Sequence, residues 1–158
     1  MSGHTDNAIT IDAPMDLVWR MANDVPSWPE LFTEYAAAEV LHRDGDRVRF
    51  RLTTVPDENG ASQTWVSERL HDPAARTVRA QRIELGPFKY MHLFWEFTPD
   101  GDGVRLRWVQ DFEVRDDAPF DDAAVAARLN RLSPVQMRHI RAAIESAARA
   151  AEPVDAGA

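Results

Sequence analysis

The stretch Thr64-Trp65-Val66-Ser67-Glu68-Arg69-Leu70 decides how this chain is read. In a strand, alternation puts Trp65, Ser67 and Arg69 on one side and Val66, Glu68 and Leu70 on the other. Neither side is cleanly apolar. If Trp65 points into the interior, Arg69 points there too, and burying a guanidinium costs several kcal/mol unless it is paired or hydrogen-bonded. A fold that keeps Arg69 inside therefore has a use for it. The alternative left open by the residues alone is a surface Trp65 beside a solvated Arg69.

Working outward, the neighbouring segments share this period of two. Ala38, Val40 and His42 lie on one side of a strand that turns at Asp44-Gly45-Asp46, and Val48, Phe50 and Leu52 then alternate with Arg47, Arg49 and Arg51. Asn59-Gly60 marks the turn into Thr64, and Asp72-Pro73 the break after it. The strand from Arg76 to Glu84 sets Val78, Ala80, Arg82 and Glu84 on one side, so a second arginine faces the same way as Arg69. After Gly86-Pro87 come Met91, Leu93, Trp95 and Phe97 on one face. Beyond the hairpin at Asp100–Gly103, Val104, Leu106, Trp108, Gln110 and Phe112 form another, with Gln110 as its polar member.

Both ends of the chain read as helical, apart from a short first strand at Asn7–Ala13. A helix is expected from Pro14 to Asn23, proline being tolerated in a first turn. A short helix follows at Trp28-Pro29, capped by Ser27 and carrying Leu31, Phe32 and Tyr35 inward. The Ala-rich segment from Asp121 to Ala148 has Val125, Leu129, Leu132, Gln136, Ile140 and Ile144 near a common stripe. Within it, Ser133-Pro134-Val135-Gln136 reads as a capping box with proline at N1, which predicts a kink or restart. Residues 1–150 are read as one domain and residues 151–158 as a frayed tail.

The order strand, two short helices, about six hairpin-linked strands and one long C-terminal helix predicts an α+β fold, with a curved antiparallel sheet of about seven strands wrapped around the long helix. The inward faces combine Trp65, Ser67, Arg69, Arg82, Met91, Trp95, Trp108 and Gln110, which suits an apolar pocket with a few convergent polar groups.

Composition excludes several alternatives. The chain of 158 residues has a net charge of -8 and a pI near 5.0, against general nucleic-acid or anionic-membrane binding. It has no cysteine, and its five histidines lack metal-ligand spacing, so neither thiol chemistry nor a metal site is expected. No signal peptide or long apolar span is evident, and the expected location is cytoplasmic.

Longer strings in one order carry a resemblance: TDN at Thr5–Asn7, LVW at Leu17–Trp19, ND at Asn23-Asp24, WPELFTEYA at Trp28–Ala36, WVSER at Trp65–Arg69, TVRAQR at Thr77–Arg82, GPFKYM at Gly86–Met91 and RWVQDF at Arg107–Phe112. The chain resembles the monodomain aromatase/cyclases of bacterial type II polyketide synthesis, of the tetracenomycin and spore-pigment type, from Thr5 to about Ile144. The resemblance implies the helix-grip fold of START and Bet v 1 proteins, with a deep internal pocket between sheet and long helix. It also implies cofactor-independent aldol cyclisation and dehydration of a poly-β-ketone on an acyl carrier protein, supplied by a ketosynthase and chain-length factor. The ring closed first would join the ninth and fourteenth carbons, often followed by a second ring.

Carried onto this sequence, the resemblance implies that Arg69 polarises a carbonyl and stabilises the enolate or alkoxide, and that Tyr35 donates or relays a proton. Ser67 would hold a water or carbonyl, Trp28, Phe32, Trp65, Met91, Trp95 and Trp108 would wall the pocket, and Arg82, Gln110 and Gln136 would line it farther along. Gln63 stands where members carry another tryptophan, and Gln136 where an asparagine is expected. The outer-face residues Arg47, Arg49 and Arg51, with Arg105 and Arg107, offer a basic docking patch for an acidic carrier. The same fold class also serves non-catalytic binders or chaperones of aromatic or lipid-like ligands.

Overall fold

A computed structural model describes residues 2–151. Strand β1 (Gly3–Ile11) leads into helix α1 (Met15–Asn23), a single 3-10 turn (Val25–Ser27) and the four-residue α2 (Trp28–Leu31). Six strands follow, β2 (Tyr35–Asp44), β3 (Arg47–Thr54), β4 (Thr64–Asp72), β5 (Thr77–Arg82), β6 (Phe88–Asp100) and β7 (Gly103–Val114), and then helix α3 (Asp122–Ala151). The sheet runs β1-β7-β6-β5-β4-β3-β2, antiparallel throughout. Consecutive hairpins account for five of its six pairings. The sixth brings the first strand back beside the last, Gly3 opposite Phe112 and Ile11 opposite Val104.

Helix α3 is tied to β1 and the turn after it by two side-chain bonds: Asn7 Nδ2 donates to Asn130 Oδ1 (3.1 Å), and the Asp12 backbone N–H donates to Glu145 Oε2 (2.8 Å). Met137, Ile140 and Ile144 of α3 are buried on the sheet as the 3.6-residue spacing requires. On β3, Val48, Phe50 and Leu52 are buried while Arg47, Arg49 and Arg51 are exposed, so the alternation has the sense expected.

The buried core divides into two clusters. The larger holds Trp28, Phe32, Trp95, Trp108 and the α3 residues just named; the smaller holds Phe88, Met91, Phe112 and Val114, with Leu129 of α3 against it. Between them on the inner face, register places Thr5, Gln110, Leu93, Ala80, Arg69 and Val48 side by side across six strands. Ala80, Leu93 and Gln110 in this row keep partial solvent access. A small residue, an aliphatic one and an amide thus mark a recess where the core is interrupted.

Four local expectations are corrected. β1 begins at Gly3 rather than Asn7 because polar pairs extend the ladder: Arg107 Nη2 donates to Asp6 Oδ2 (2.6 Å), and His4 Nδ1 meets Asp111 Oδ1 (2.6 Å). Ser27 makes no cap bond; its hydroxyl donates to Asp24 Oδ2, and α2 ends at Leu31, leaving Phe32 extended and Tyr35 at the head of β2. Helix α3 does not restart at Ser133 but continues through Pro134, and Gln136 bonds to Thr33 instead of capping a new helix. The expected fraying of residues 152–158 lies outside the described residues.

Candidate active site

Arg69 is directed inward from the middle of β4 and is only 2% exposed. Its guanidinium packs against two indoles, 4.9 Å from the ring centroid of Trp28 and 4.4 Å from that of Trp95. Nη2 donates to Asn23 Oδ1 (2.7 Å), and Nε donates to His71 Nε2 (3.4 Å). No carboxylate among the described residues forms an ion pair with it. Burial lowers its pKa to about 9, still protonated at neutral pH. Of the five guanidinium donors, those on Nη1 have no partner among the described side chains.

Around this cation the aromatic residues form a closed frame. Ring centroids are 5.1 Å apart for Trp28–Phe32, 5.9 Å for Phe32–Trp108, 4.9 Å for Trp108–Trp95 and 5.9 Å for Trp95–Trp28. The Trp28 N–H donates to the Ala22 carbonyl (3.1 Å), which fixes that indole to α1. Trp108 is buried, yet its Nε1–H has no hydrogen-bond partner among the described residues. Leaving such a donor unmet costs about 1–3 kcal/mol.

Tyr35 joins the frame at the head of β2, stacked 6.0 Å from Trp28 and edge-on at 6.4 Å to Trp65. Tyr35 keeps partial solvent access although these rings pack closely on it. Burial, reinforced by the charge and side-chain hydrogen bonding of the neighbouring Glu34, pushes its phenol well above the ordinary value, so the O–H stays protonated. Burial also raises the Glu34 carboxyl.

Arg82 sits at the end of β5, paired in register with Ser67 and 4.7 Å from the Trp65 ring. The loop after it wraps the guanidinium: Nε donates to the Glu84 carbonyl (2.9 Å), and Gly86, at φ 57°, passes so close that a Cβ there would lie 2.9 Å from Nη2. Only glycine supplies both the left-handed backbone and the clearance. Ser67 is buried beside Arg82.

The remaining expected residues fall elsewhere or are engaged. Gln110 accepts from Thr5 Oγ1 (3.1 Å) on the row of the recess. Gln136 is occupied by Thr33 at both ends of its amide, accepting from the backbone N–H (2.9 Å) and donating to Oγ1 (2.7 Å), which makes it a strut between α3 and the segment before β2. Met91 packs in the smaller core cluster, away from the frame. Two clefts, of about 680 and 400 Å³, lie around Lys89, Glu113 and Phe120 and on the outer sheet face around Leu70, Arg79 and Phe94.

The outer basic row is not a free patch. Arg47 and Arg49 both bind Glu68, Arg51 approaches Glu39, and Arg107 is paired with Asp6 and Glu96. Strands β3 and β7 are moreover four strand spacings apart, about 19 Å.

Two residues at the centre of the site were not singled out in sequence. Asn23 reads as a helix stop, and its role needs the packing of α1 on the sheet. His71 continues the parity of Trp65, Ser67 and Arg69 by one more step, and that alternation could have found it. Burial and the adjacent Arg69 depress its pKa to about 4.

A helix laid across a curved antiparallel sheet, with a caged cation and indoles on the inner face, defines a protein of the helix-grip class. The chain belongs to the polyketide cyclase/dehydrase and lipid transport family, whose model matches residues 11–141. It is 55% identical over 145 residues to a Streptomyces cyaneus protein called "Putative polyketide cyclase", covering 92% of this chain and 95% of the relative. It is 30% identical to the granaticin polyketide synthase bifunctional cyclase/dehydratase of Streptomyces violaceoruber, covering 96% of this chain and 45% of that protein. The Zhui aromatase/cyclase from Streptomyces sp. R1128 superimposes over 100% of both chains with a TM-score of 0.78 at 23% identity, a likeness of fold. No helix among the described residues is long and apolar enough to cross a membrane.

Proposed function

We propose that this protein is a cytoplasmic aromatase/cyclase that takes a poly-β-ketone from its acyl carrier protein, downstream of the ketosynthase and chain-length factor, and directs aldol closure and dehydration of its first ring between the ninth and fourteenth carbons. The observation that carries this reading is Arg69: a fully buried cation, bonded only to neutral acceptors, in an aromatic frame. Such a group favours an oxygen that gains negative charge during reaction.

The methylene between two carbonyls is acidic, and the Arg69 donors stabilise the enolate formed when its proton passes to solvent water, which later returns it. Attack of the enolate carbon on a ketone makes the new carbon–carbon bond and an alkoxide. The Tyr35 O–H, neutral because of its raised pKa, donates to that alkoxide, and the proton released from the methylene restores the phenol. Loss of water then gives the aromatic ring. Flat indole faces favour the bent, planarising chain, and holding it in one bend supplies much of the acceleration.

The family also includes lipid transport, and a passive carrier is the second reading. Reconstitution with a minimal synthase separates the two. The wild type shifts products from spontaneous shunts to the first-ring aromatic compound, and Tyr35→Phe, correctly folded, reduces that shift. A product profile unchanged by the wild-type protein overturns the enzyme reading.

A further inference from the structure

We propose that Asn23 and His71 are positioning residues that hold Arg69 through neutral acceptors alone, so that its charge remains uncompensated for an anionic ligand oxygen. This rests on the reading that Arg69 meets the substrate.

The geometry is specific at each link. Asn23 is the last residue of α1, and its Nδ2 donates to the Trp19 carbonyl one turn back (2.9 Å). That bond orients the amide so that Oδ1 faces Arg69 Nη2 at 2.7 Å. His71 accepts from Arg69 Nε through Nε2 (3.4 Å), which places its own proton on Nδ1. Its ring is held edge-on to Trp19, centroids 6.2 Å apart. Trp19 thus stands behind both acceptors, its carbonyl fixing Asn23 and its indole bracing His71.

Asparagine and aspartate have nearly the same volume, so a carboxylate at position 23 would fit the same space. It would convert a hydrogen bond into a buried ion pair and spend the charge of Arg69 internally. Truncating one member of a buried charged pair is strongly destabilising, whereas supplying the missing counter-charge is not. Aspartate would forfeit the bond to the Trp19 carbonyl and set an oxygen against it, a loss that opposes the gain of the ion pair, whereas the amide satisfies that carbonyl and leaves the charge of Arg69 for what it must bind.

The test uses the full-length chain and three variants, Asn23→Asp, His71→Gln and His71→Leu. Binding of 1-naphthoate and of its neutral isostere 1-naphthamide is followed by tryptophan fluorescence, alongside the thermal midpoint and the product partition with a minimal synthase. The wild type is expected to prefer the anion by at least about tenfold, as one charge-assisted hydrogen bond warrants. Asn23→Asp is expected to abolish the preference and cut the first-ring product at least about tenfold while its midpoint moves little, the new ion pair with Arg69 offsetting the lost bond to the Trp19 carbonyl. His71→Gln, which keeps an acceptor, retains the preference, and His71→Leu loses part of it.

Equal or undetectable wild-type binding of the two probes, an anion preference that survives Asn23→Asp, or parallel loss of midpoint and product in that variant would each overturn the proposal. The probe preference is read without catalysis. A wild type that favours the anion but leaves synthase products unchanged therefore refutes the enzyme reading while supporting the positioning of Arg69.

Discussion

The guanidinium of Arg69 lies 4.4 Å from the centroid of Trp95, and Trp95 in turn stacks on Trp108 at 4.9 Å, so the buried cation and the unpartnered indole N–H of Trp108 share one aromatic neighbour. Two hydrogen-bond donors with spare capacity are thereby set next to one flat apolar ring. That arrangement suits a ligand with oxygens spaced along a planar carbon chain. It also gives Arg69 a face-on cation–π contact, worth roughly 2 kcal/mol or more when desolvated, in place of the carboxylate a buried cation normally finds.

Replacing Arg69 by Met removes the charge at similar length. The variant is expected to fold, with a midpoint at or above that of the wild type, because a desolvated cation is exchanged for an apolar side chain among indoles. Directed first-ring closure is expected to fall on the order of 100-fold, as for loss of one preorganised donor to a developing oxyanion. Melting by circular dichroism with product quantification in the reconstituted synthase checks both halves; an active Arg69→Met enzyme contradicts the assignment.

Gly86→Ala is predicted to destabilise the protein through Arg82. The added Cβ meets Nη2 at 2.9 Å and must also adopt φ 57°, for a cost of roughly 1–2 kcal/mol. In an Arg82→Ala background the contact part vanishes and only the backbone part remains. Urea denaturation of the four proteins should therefore give a coupling energy of about 0.5 kcal/mol or more. Strict additivity would show that the loop and Arg82 are independent.

Trp108→Phe removes a buried donor that the folded protein already leaves unmet. The cavity created and the unmet N–H abolished act in opposite directions, and the net change is expected to stay within about 1 kcal/mol, compared with about 3–5 kcal/mol for truncating a core tryptophan to alanine. First-ring product should nevertheless fall. A large loss of stability with full activity would place Trp108 in the core alone.

The pH dependence of stability should carry the signature of His71. Its folded pKa, about 4, lies below the unfolded value of 6.5, so between those values the unfolded chain binds the additional proton. Stability contributed by neutral His71 is complete above pH 6.5 and is lost as pH falls toward 4. His71→Gln should flatten this part of the curve, measured as thermal midpoint from pH 4 to 7. An unchanged slope would mean that His71 titrates normally.

What the sequence made legible was mainly what alternation controls. Parity along Thr64–Leu70 is insensitive to the exact strand ends, so it tied Trp65, Ser67 and Arg69 to one face before any partner was known, and the burial of Ser67 and Arg69 shows that face to be the inner one. Hairpin turns at Gly45 and Gly101 likewise fixed antiparallel neighbours. Contacts between distant elements were hidden. The Ser133–Gln136 string carries a strong local capping signal, but burial of Gln136 against Thr33 outweighs it. The outer arginines looked free because the register that sets Arg49 opposite Glu68 cannot be read from charge order. Asn23 was invisible for the same reason, its partner being 46 residues away.

The inner row Thr5, Gln110, Leu93, Ala80, Arg69 and Val48 draws each member from a different strand. No short segment of the chain can build it, and its Thr5–Gln110 link closes a loop of more than a hundred residues. Such high contact order makes assembly slow and late, because the closure entropy is met before the contact rewards it. The recess is therefore a property of the finished sheet: a nascent or partly unfolded chain with its hairpins formed still lacks it, and binding competence should appear only when the first-made strand finally docks on the last.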